Sequence, residues 1–487
     1  MMLELARESD LGAVCALYES AIAAMHAAGN KQWYWGRYPA EDIAAEDIAV
    51  RRLYVARQGE SLLCVAAVDR ELEEQYAGVN WLFGRTPGSF HRFAIAPAFQ
   101  GQGLGRKLVG EMEEILRGLG CDCLRCDTMA GNARALALYE GCGMRRAGVV
   151  HYPPDMTRDF YCLEKPLTAE CPLLPLRMHP AFRGGALTPW GGERLRSVYG
   201  KDIPCVPTGE SLEVSCIPGL ESTDDMGTAL PALIARYGEA FAGRYAQGQF
   251  PLLLKLIDAR ESLSVQVHPD DRYAHDNEGG KLGKTEAWLI LDAPEGSQLV
   301  YGIRPGTTKE ALRAACEQGA AVEPLLRRVD VKPGDVCFIP AGCVHAIGAG
   351  IMLYEIQQSS DVTYRFYDWD RVDKNGKRRQ LHLNQALDVT DLTFSLSPIP
   401  APDASRVRVL NEQYFTLDLF RVRDEAILPE IGDFGLLTAL EGELTVAWLG
   451  GKLPLRKGES VYLPARCPHL ELQGNGRAAL AAPRANG

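Results

Sequence analysis

The sequence predicts a multidomain chain. An α/β unit with a mixed sheet and helices spans 1–167, a linker spans 168–177, and an all-β half of two jelly-roll barrels, with a small helical insertion, spans 178–395 and 396–487. Three observations predict it. Before residue 167, strand-like runs alternate with stretches of helical period. After Leu252 the chain is mostly short β-type runs bounded by Gly, Pro and Asp. One pattern of fourteen residues then occurs twice in that half.

In the front unit, Arg51–Ala56 and Leu62–Val68 form a hairpin around the turn Gln58-Gly59-Glu60-Ser61, and Ser89–Ile95 is a further strand. Pro97–Arg106 is a glycine-rich turn. Arg106–Leu119 follows as a helix, with Leu108, Val109, Met112, Ile115 and Leu116 on one face. A strand at Cys123–Thr128, a helix at Ala133–Glu140 and strands near Val149 and Tyr161 complete the unit. Cys121, Cys123 and Cys126 lack the paired CxxC spacing of a structural zinc site and belong to a buried strand. Pro166–Pro172 has two prolines in its first seven residues and no periodicity, which marks the linker.

In the back half, Thr308–Gln318 is a helical patch. The repeated pattern runs from Lys332 to His345 and from Arg456 to His469, each copy a Gly-acid turn, an apolar strand and a Pro-Ala rim loop. His469 has no companion Gln-x-His or Glu strand, so the second barrel is read as metal-free and structural. Ala482–Gly487 reads as a frayed tail.

Composition bounds the function. Hydrophobic residues are 46% and charged residues 24% of the chain, which excludes a largely disordered protein. Lys plus Arg number 52 against 63 Asp plus Glu, a net charge of −11, so neither nucleic acid nor an anionic membrane is the expected partner. No apolar run reaches the roughly 18 residues of a membrane span. Met1–Glu8 shows no cationic segment followed by an apolar core, so a cytoplasmic protein with reduced thiols is expected.

Two constellations carry chemistry. Successive glycines at Gly101, Gly103 and Gly105 between a strand and a helix let backbone N–H groups converge on an anion such as a pyrophosphate. A dinucleotide site would need an acidic residue about 20 residues on and an opening βαβ unit, and here the glycines follow a hairpin. In the second constellation, period-two alternation puts Ser264, Gln266 and His268 on one face of a strand. With Glu286 and His345 they supply two imidazoles, a carboxylate and an amide oxygen, a set that suits a divalent metal such as Zn2+ with one open position.

The front segment resembles the GNAT acetyltransferase superfamily, through Gln100-Gly101-Gln102-Gly103-Leu104-Gly105-Arg106 and through Thr128–Met144 with its Gly131-Asn132-Ala133 and Leu138-Tyr139-Glu140. The resemblance implies acetyl-CoA as co-substrate, bound by Gln100, Gly101, Gln102, Gly103, Gly105 and Arg106. It also implies that Asn132 hydrogen-bonds the cofactor and Tyr139 protonates the departing thiolate. The acceptor amine cannot be read. Trp33, Tyr34, Trp35 and Tyr38 cluster in an acceptor-side loop or simply pack, and His91 is a weak candidate base or a structural histidine.

From Met178 on, the chain resembles the type I mannose-6-phosphate isomerase family, a double-cupin zinc enzyme. The matching stretches are Leu254–Asp271, Gly283–Trp288, Pro340–Ala346, Gln357–Arg371, Trp190-Gly191-Gly192 and Thr208-Gly209-Glu210-Ser211. The resemblance implies metal ligands at Gln266, His268, Glu286 and His345, a catalytic Arg365, further active-site positions at Asp361 (one helical-type step before Arg365) and Lys284, and a sugar-phosphate role for Lys255 and Ser264. Leu212 stands where relatives often carry an aromatic, which points to a different substrate rim. The fusion then isomerises mannose 6-phosphate to fructose 6-phosphate and acetylates an unknown amine. The alternatives are a cupin half that only senses a sugar phosphate, and a front half that has kept its fold but lost its catalysis.

Overall fold

A computed structural model describes residues 3–372 and 376–484. Two compact units partition the chain: Met1–Leu176 with Val446–Leu453 and Arg466–Leu470, and Arg177–Thr445 with Pro454–Ala465 and Glu471–Gly487.

The first unit is built on a seven-stranded mixed sheet. Its order is Glu4–Leu5, Leu53–Gln58, Ser61–Asp69, Pro87–Ile95, Cys123–Met129, Asp155–Pro166 and Arg145–Tyr152. The hairpin, the middle strands and both later helices fall within a few residues of the expected places. The helix after the glycine turn begins at Leu104 and ends at Gly118, with Gly103 as its N-cap at φ +77°. Two helices ahead of the hairpin, Leu11–Ala27 and Glu41–Ala49, were not read from the sequence. Val14, Leu17, Tyr18, Ala21 and Ile22 nonetheless repeat at helical spacing and are the buried face of the first.

One pairing in this sheet shapes the site. Pro87–Ile95 and Cys123–Met129 are parallel, and they pair only at Pro87–Cys123, Gly88–Leu124 and Ser89–Arg125. Beyond those positions no pairs join them. Arg92 there takes φ +52°, a bulge opposite the register shift between Val65 and Ala67. Asp47, fully buried, receives the Arg92 guanidinium at 2.7–2.9 Å and so holds that backbone in place. The cysteines at 121, 123 and 126 are buried, as the strand reading expects.

In the second unit two antiparallel sheets face each other. One has the order Ile399–Pro400, Asp335–Ile339, Glu286–Asp292, Met352–Gln358, Leu252–Asp258, Thr208–Val214 and Ala181–Gly184. The other has Leu326–Asp330, Gln298–Ile303, His345–Ala346, Val265–Val267 and Tyr364–Tyr367. Trp190, Trp288, Leu299, Tyr301, Ile339 and Leu353 fill the space between. The helical patch is Lys309–Glu317, capped where Thr308 Oγ1 accepts the Ala311 N–H. Leu230–Tyr237 and Leu383–Val389 are further helices, not expected from the sequence.

A third sheet, of the second barrel, includes Arg406–Asn411, Phe415–Ile427, Glu471–Pro483, Phe434–Trp448 and Ser460–Pro464 in that order. Both copies of the repeat adopt the same turn, with Gly334 at φ +90° and Gly458 at φ +84°. The expected frayed tail is corrected as far as Pro483. Ala482 and Pro483 pair with Thr416 and Phe415, because the strand partner Phe415–Ile427 offers their backbone a full ladder. Residues 485–487 lie outside the described residues. Among the described residues no helix is long and apolar enough to cross a membrane.

Candidate active sites

In the first unit a cavity of about 660 Å³ opens where the two parallel strands stop pairing. The glycine turn sits where it was expected. Gly101 and Gly103 have φ +78° and +77°, with open space where a side chain would start, while Gly105 packs so that a Cβ would stand 2.9 Å from Leu138 Cδ2. The free N–H groups of the helix start at Leu104 therefore face an unobstructed approach.

Other expected cofactor residues have partners within the fold. Gln100 donates to Ile95 O at 2.8 Å and accepts from Arg134 at 2.9 Å. Gln102 donates to Ala98 O at 3.1 Å. Asn132 caps the helix Ala133–Gly141, accepting from Ala135 N at 3.2 Å, and its amide donates to Gln32 Oε1 at 2.9 Å. Arg106 is the third residue of the helix, in its first turn, and its guanidinium lies beside Gly141.

Tyr139 lines the cavity with its ring 5.3 Å from Phe90, and burial holds its phenol well above the usual range. Trp33, Tyr34 and Tyr38 line the same cavity, whereas Trp35 stacks on Tyr18 in the core. His91 also lines it, with Nδ1 3.4 Å from Glu73 Oε1. This contact pulls the Glu73 carboxyl down.

The sequence reading missed the most distinctive group here. Asp127 is in the second half of the strand Cys123–Met129 and lines the cavity. Burial pushes its carboxyl up to about 6, with the Glu73 charge adding and the Tyr76 hydroxyl, donating at 2.9 Å, opposing. A single Asp in a Cys-Asp-Thr stretch gives no sequence signal of such burial.

In the second unit the four ligand candidates come together from both sheets of the first barrel. Gln266 lies opposite His345 in the strand register, His268 follows the same strand, and Glu286 opens a strand of the facing sheet. His345 Nε2 is 3.3 Å from Glu286 Oε1, His268 Nε2 is 3.6 Å from Oε2, and the Gln266 amide nitrogen is 3.3 Å from His345 Nε2. In a tetrahedral site with bonds of about 2.0–2.1 Å, neighbouring ligand atoms stand roughly 3.4 Å apart. A half turn of the Gln266 amide exchanges its oxygen for its nitrogen at that place.

The surroundings select the ligand form. His268 Nδ1 lies 2.9 Å from Val362 O and His345 Nδ1 lies 2.9 Å from Cys343 O. Each Nδ1 therefore carries the proton and donates, leaving the Nε2 lone pair aimed at Glu286. Burial pushes His345 down to about 3 and His268 well below its usual range, so both stay neutral. Glu286 is fully buried and pushed up to about 7 by that burial, against the pull of Lys284. Neither of its oxygens accepts a well-directed hydrogen bond, although Lys284 Nζ stands 2.8 Å from Oε2 as an ion pair and 2.9 Å from His268 Nε2. A buried carboxylate of this kind, with two imidazole lone pairs, fits a divalent cation.

Of these residues Gln266 and Lys284 line a cavity of about 240 Å³, together with Arg183, Glu210, Lys255, Ser264, Asp361, Arg365 and Arg379. Ser264 Oγ donates to Gln266 Oε1 at 3.3 Å. Lys255 Nζ meets Glu355 at 2.9 Å and Glu210 at 3.6 Å, and Trp288 Nε1 donates to Glu355 at 2.9 Å. Asp361 lies at the exposed rim, paired with Lys281 at 2.8 Å. The expected helical step from Asp361 to Arg365 is corrected: Asp361 is in a loop and Arg365 is in the strand Tyr364–Tyr367. Leu212 is fully buried in its strand and does not line the cavity, so it belongs to the core rather than to the rim. His469 is exposed.

Residues 26–144 match the acetyltransferase (GNAT) family, residues 184–287 the catalytic domain of phosphomannose isomerase type I, and residues 406–483 the mannose-6-phosphate isomerase cupin domain. A mannose-6-phosphate isomerase of Streptococcus mutans is 36% identical over 294 residues, which is 59% of this chain and 92% of that protein. The crystal structure of the mannose 6-phosphate isomerase from Bacillus subtilis is similar with a TM-score of 0.56 and 32% identity, over 63% of this chain and 99% of that one. In the front part an N-alpha-acetyltransferase of Mycobacterium tuberculosis is 38% identical over 77 residues, 15% of this chain and 46% of that protein.

Proposed function

The chain belongs to the mannose-6-phosphate isomerase family and carries a GNAT acetyltransferase domain ahead of it, and on that premise we propose that it interconverts mannose 6-phosphate and fructose 6-phosphate in its second unit and acetylates a primary amine from acetyl-CoA in its first. The convergence of His268, Glu286 and His345, with ligand atoms within 4.8 Å of one another and with Gln266 and Lys284 on the cavity wall beside them, carries the isomerase reading.

Gln266, His268, Glu286 and His345 would hold a divalent metal, proposed as zinc. Bound there, the ion supplies Lewis acidity toward the sugar's carbonyl and neighbouring hydroxyl. The chain's own groups do the rest. Arg365 and Lys284 place positive charge on the cavity wall, where an enediolate oxyanion develops between C1 and C2. Trp190, Leu263 and Ile347 give that wall its apolar surface and limit water around the reacting carbons. The test joins metal analysis with an isomerase assay. Chelation and His345→Ala should each abolish turnover of mannose 6-phosphate, and full activity in chelated protein would overturn the metal assignment.

In the first unit, the N–H groups at the start of the helix Leu104–Gly118 would receive the coenzyme's pyrophosphate. Asp127 would take the proton that an arriving ammonium must lose. Tyr139, held as a phenol, would return a proton to the thiolate. Calorimetric titration with acetyl-CoA tests the loop: Gly103→Glu should remove binding by repelling the pyrophosphate and filling its approach. Equal binding by that variant would sink the assignment.

A further inference from the structure

The charges that line the isomerase cavity do not balance evenly. Lys255 and Arg183 face Glu355 and Glu210. Lys284 faces Glu286. At another part of the wall the count differs. Arg365 and Arg379 both line the cavity. Asp368 meets Arg371 at 2.7 Å and Arg379 at 3.7 Å, and among the described residues no carboxylate forms an ion pair with Arg365. Among the described residues two guanidinium groups share the one carboxylate and a third has none, a local excess of about two positive charges. Two of their donors, Arg365 Nε and Arg371 Nη1, are buried and find no acceptor among the described residues. A buried donor without an acceptor costs stability, and an uncompensated guanidinium pair costs more.

We infer that Arg379, backed by Arg371, forms the subsite for the substrate's phosphate, with Arg365 beside it reaching from that subsite toward the reacting carbons, and that Lys255 takes no part in it. A phosphate dianion matches the charge excess and supplies acceptors to planar guanidinium donors. Lys255 is only 4% exposed and already meets two carboxylates, so its charge is met within the protein. The subsite rests on the isomerase reading for its substrate, but the anion site itself does not.

Two measurements on the full-length, metal-loaded protein separate these. In steady-state kinetics, Arg379→Gln should raise KM for mannose 6-phosphate by about tenfold or more, with a much smaller change in kcat. The preference for mannose 6-phosphate over mannose in kcat/KM should fall by the same factor. In parallel, inorganic phosphate serves as the probe, by competitive inhibition and by calorimetry, and its binding should weaken in step. Lys255→Met, measured below its lowered melting temperature, should leave phosphate binding within about twofold, and loss of that binding in the folded variant overturns the exclusion of Lys255. An unchanged KM and unchanged phosphate binding in Arg379→Gln overturn the proposal. If wild-type protein binds phosphate through Arg379 yet turns over no sugar phosphate, the anion site stands and the isomerase reading falls.

Discussion

Asp127→Asn should make the first unit more stable at neutral pH while removing the group proposed to take the acceptor's proton. In the folded chain the Asp127 carboxyl is raised from 3.8 to about 6. Between those two values the folded state binds more protons than the unfolded one, so stability falls as pH rises through this window and levels off above it. The difference of about two units sets a ceiling of about 3 kcal/mol on the penalty at pH 7.5. Because Asp127 is only partly enclosed at the cavity wall, about 1–2 kcal/mol is the expected share. Asparagine keeps an oxygen for the Tyr76 hydroxyl, which donates at 2.9 Å, and carries no charge to desolvate. His91, Glu73 and Tyr152 face the same region. Scanning calorimetry at pH 7.5 should show the first unit of the variant melting roughly 3–6 °C above wild type. At pH 4 the two proteins should melt together. A variant that is less stable at pH 7.5, or equally shifted at both pH values, refutes the argument that burial of the charge dominates. Acetyl transfer by the variant should fall by about 10²–10⁴-fold once an acceptor is identified.

Glu164 offers the opposite case. Burial raises its carboxyl to about 7, but its oxygens accept the N–H groups of Leu82 and Phe83 at 2.9–3.1 Å. Glu164→Gln places an NH2 against those donors and should cost about 1–3 kcal/mol, read by denaturant melting at pH 7.5. Gly103→Ala should fold with a cost of about 1 kcal/mol, from its left-handed φ of +77° in open space, whereas Gly105→Ala must displace Leu138; thermal melts of the two compare backbone strain with crowding. Lys255→Met leaves Glu355 and Glu210 uncompensated and should destabilise the second unit by about 3–5 kcal/mol, seen as a loss of its calorimetric transition temperature. Added zinc should raise the melting point of wild type and leave His345→Ala unmoved, since a cation that binds only the folded ligand set stabilises only that state.

Local pattern made much of this protein legible. Alternation placed Gln266 and His268 on one face, a glycine turn announced the helix at Leu104, and a repeated turn-strand-loop announced a second barrel. Those features depend on neighbours within a few residues, and so a string of letters carries them. The helix Leu11–Ala27 carries the same kind of local signal in its spacing. Other features have no local signature. Asp127 is distinctive only because the strand beside it stops pairing after Ser89, and Arg379 only because Arg365 and Asp368 come to lie near it across the barrel wall. Lys255 and Arg379 are alike as isolated cations. Folding brings two carboxylates to the first and leaves the second short of one, and since Coulomb and desolvation energies depend on which charges stand within a few ångströms, only the tertiary structure could decide between them.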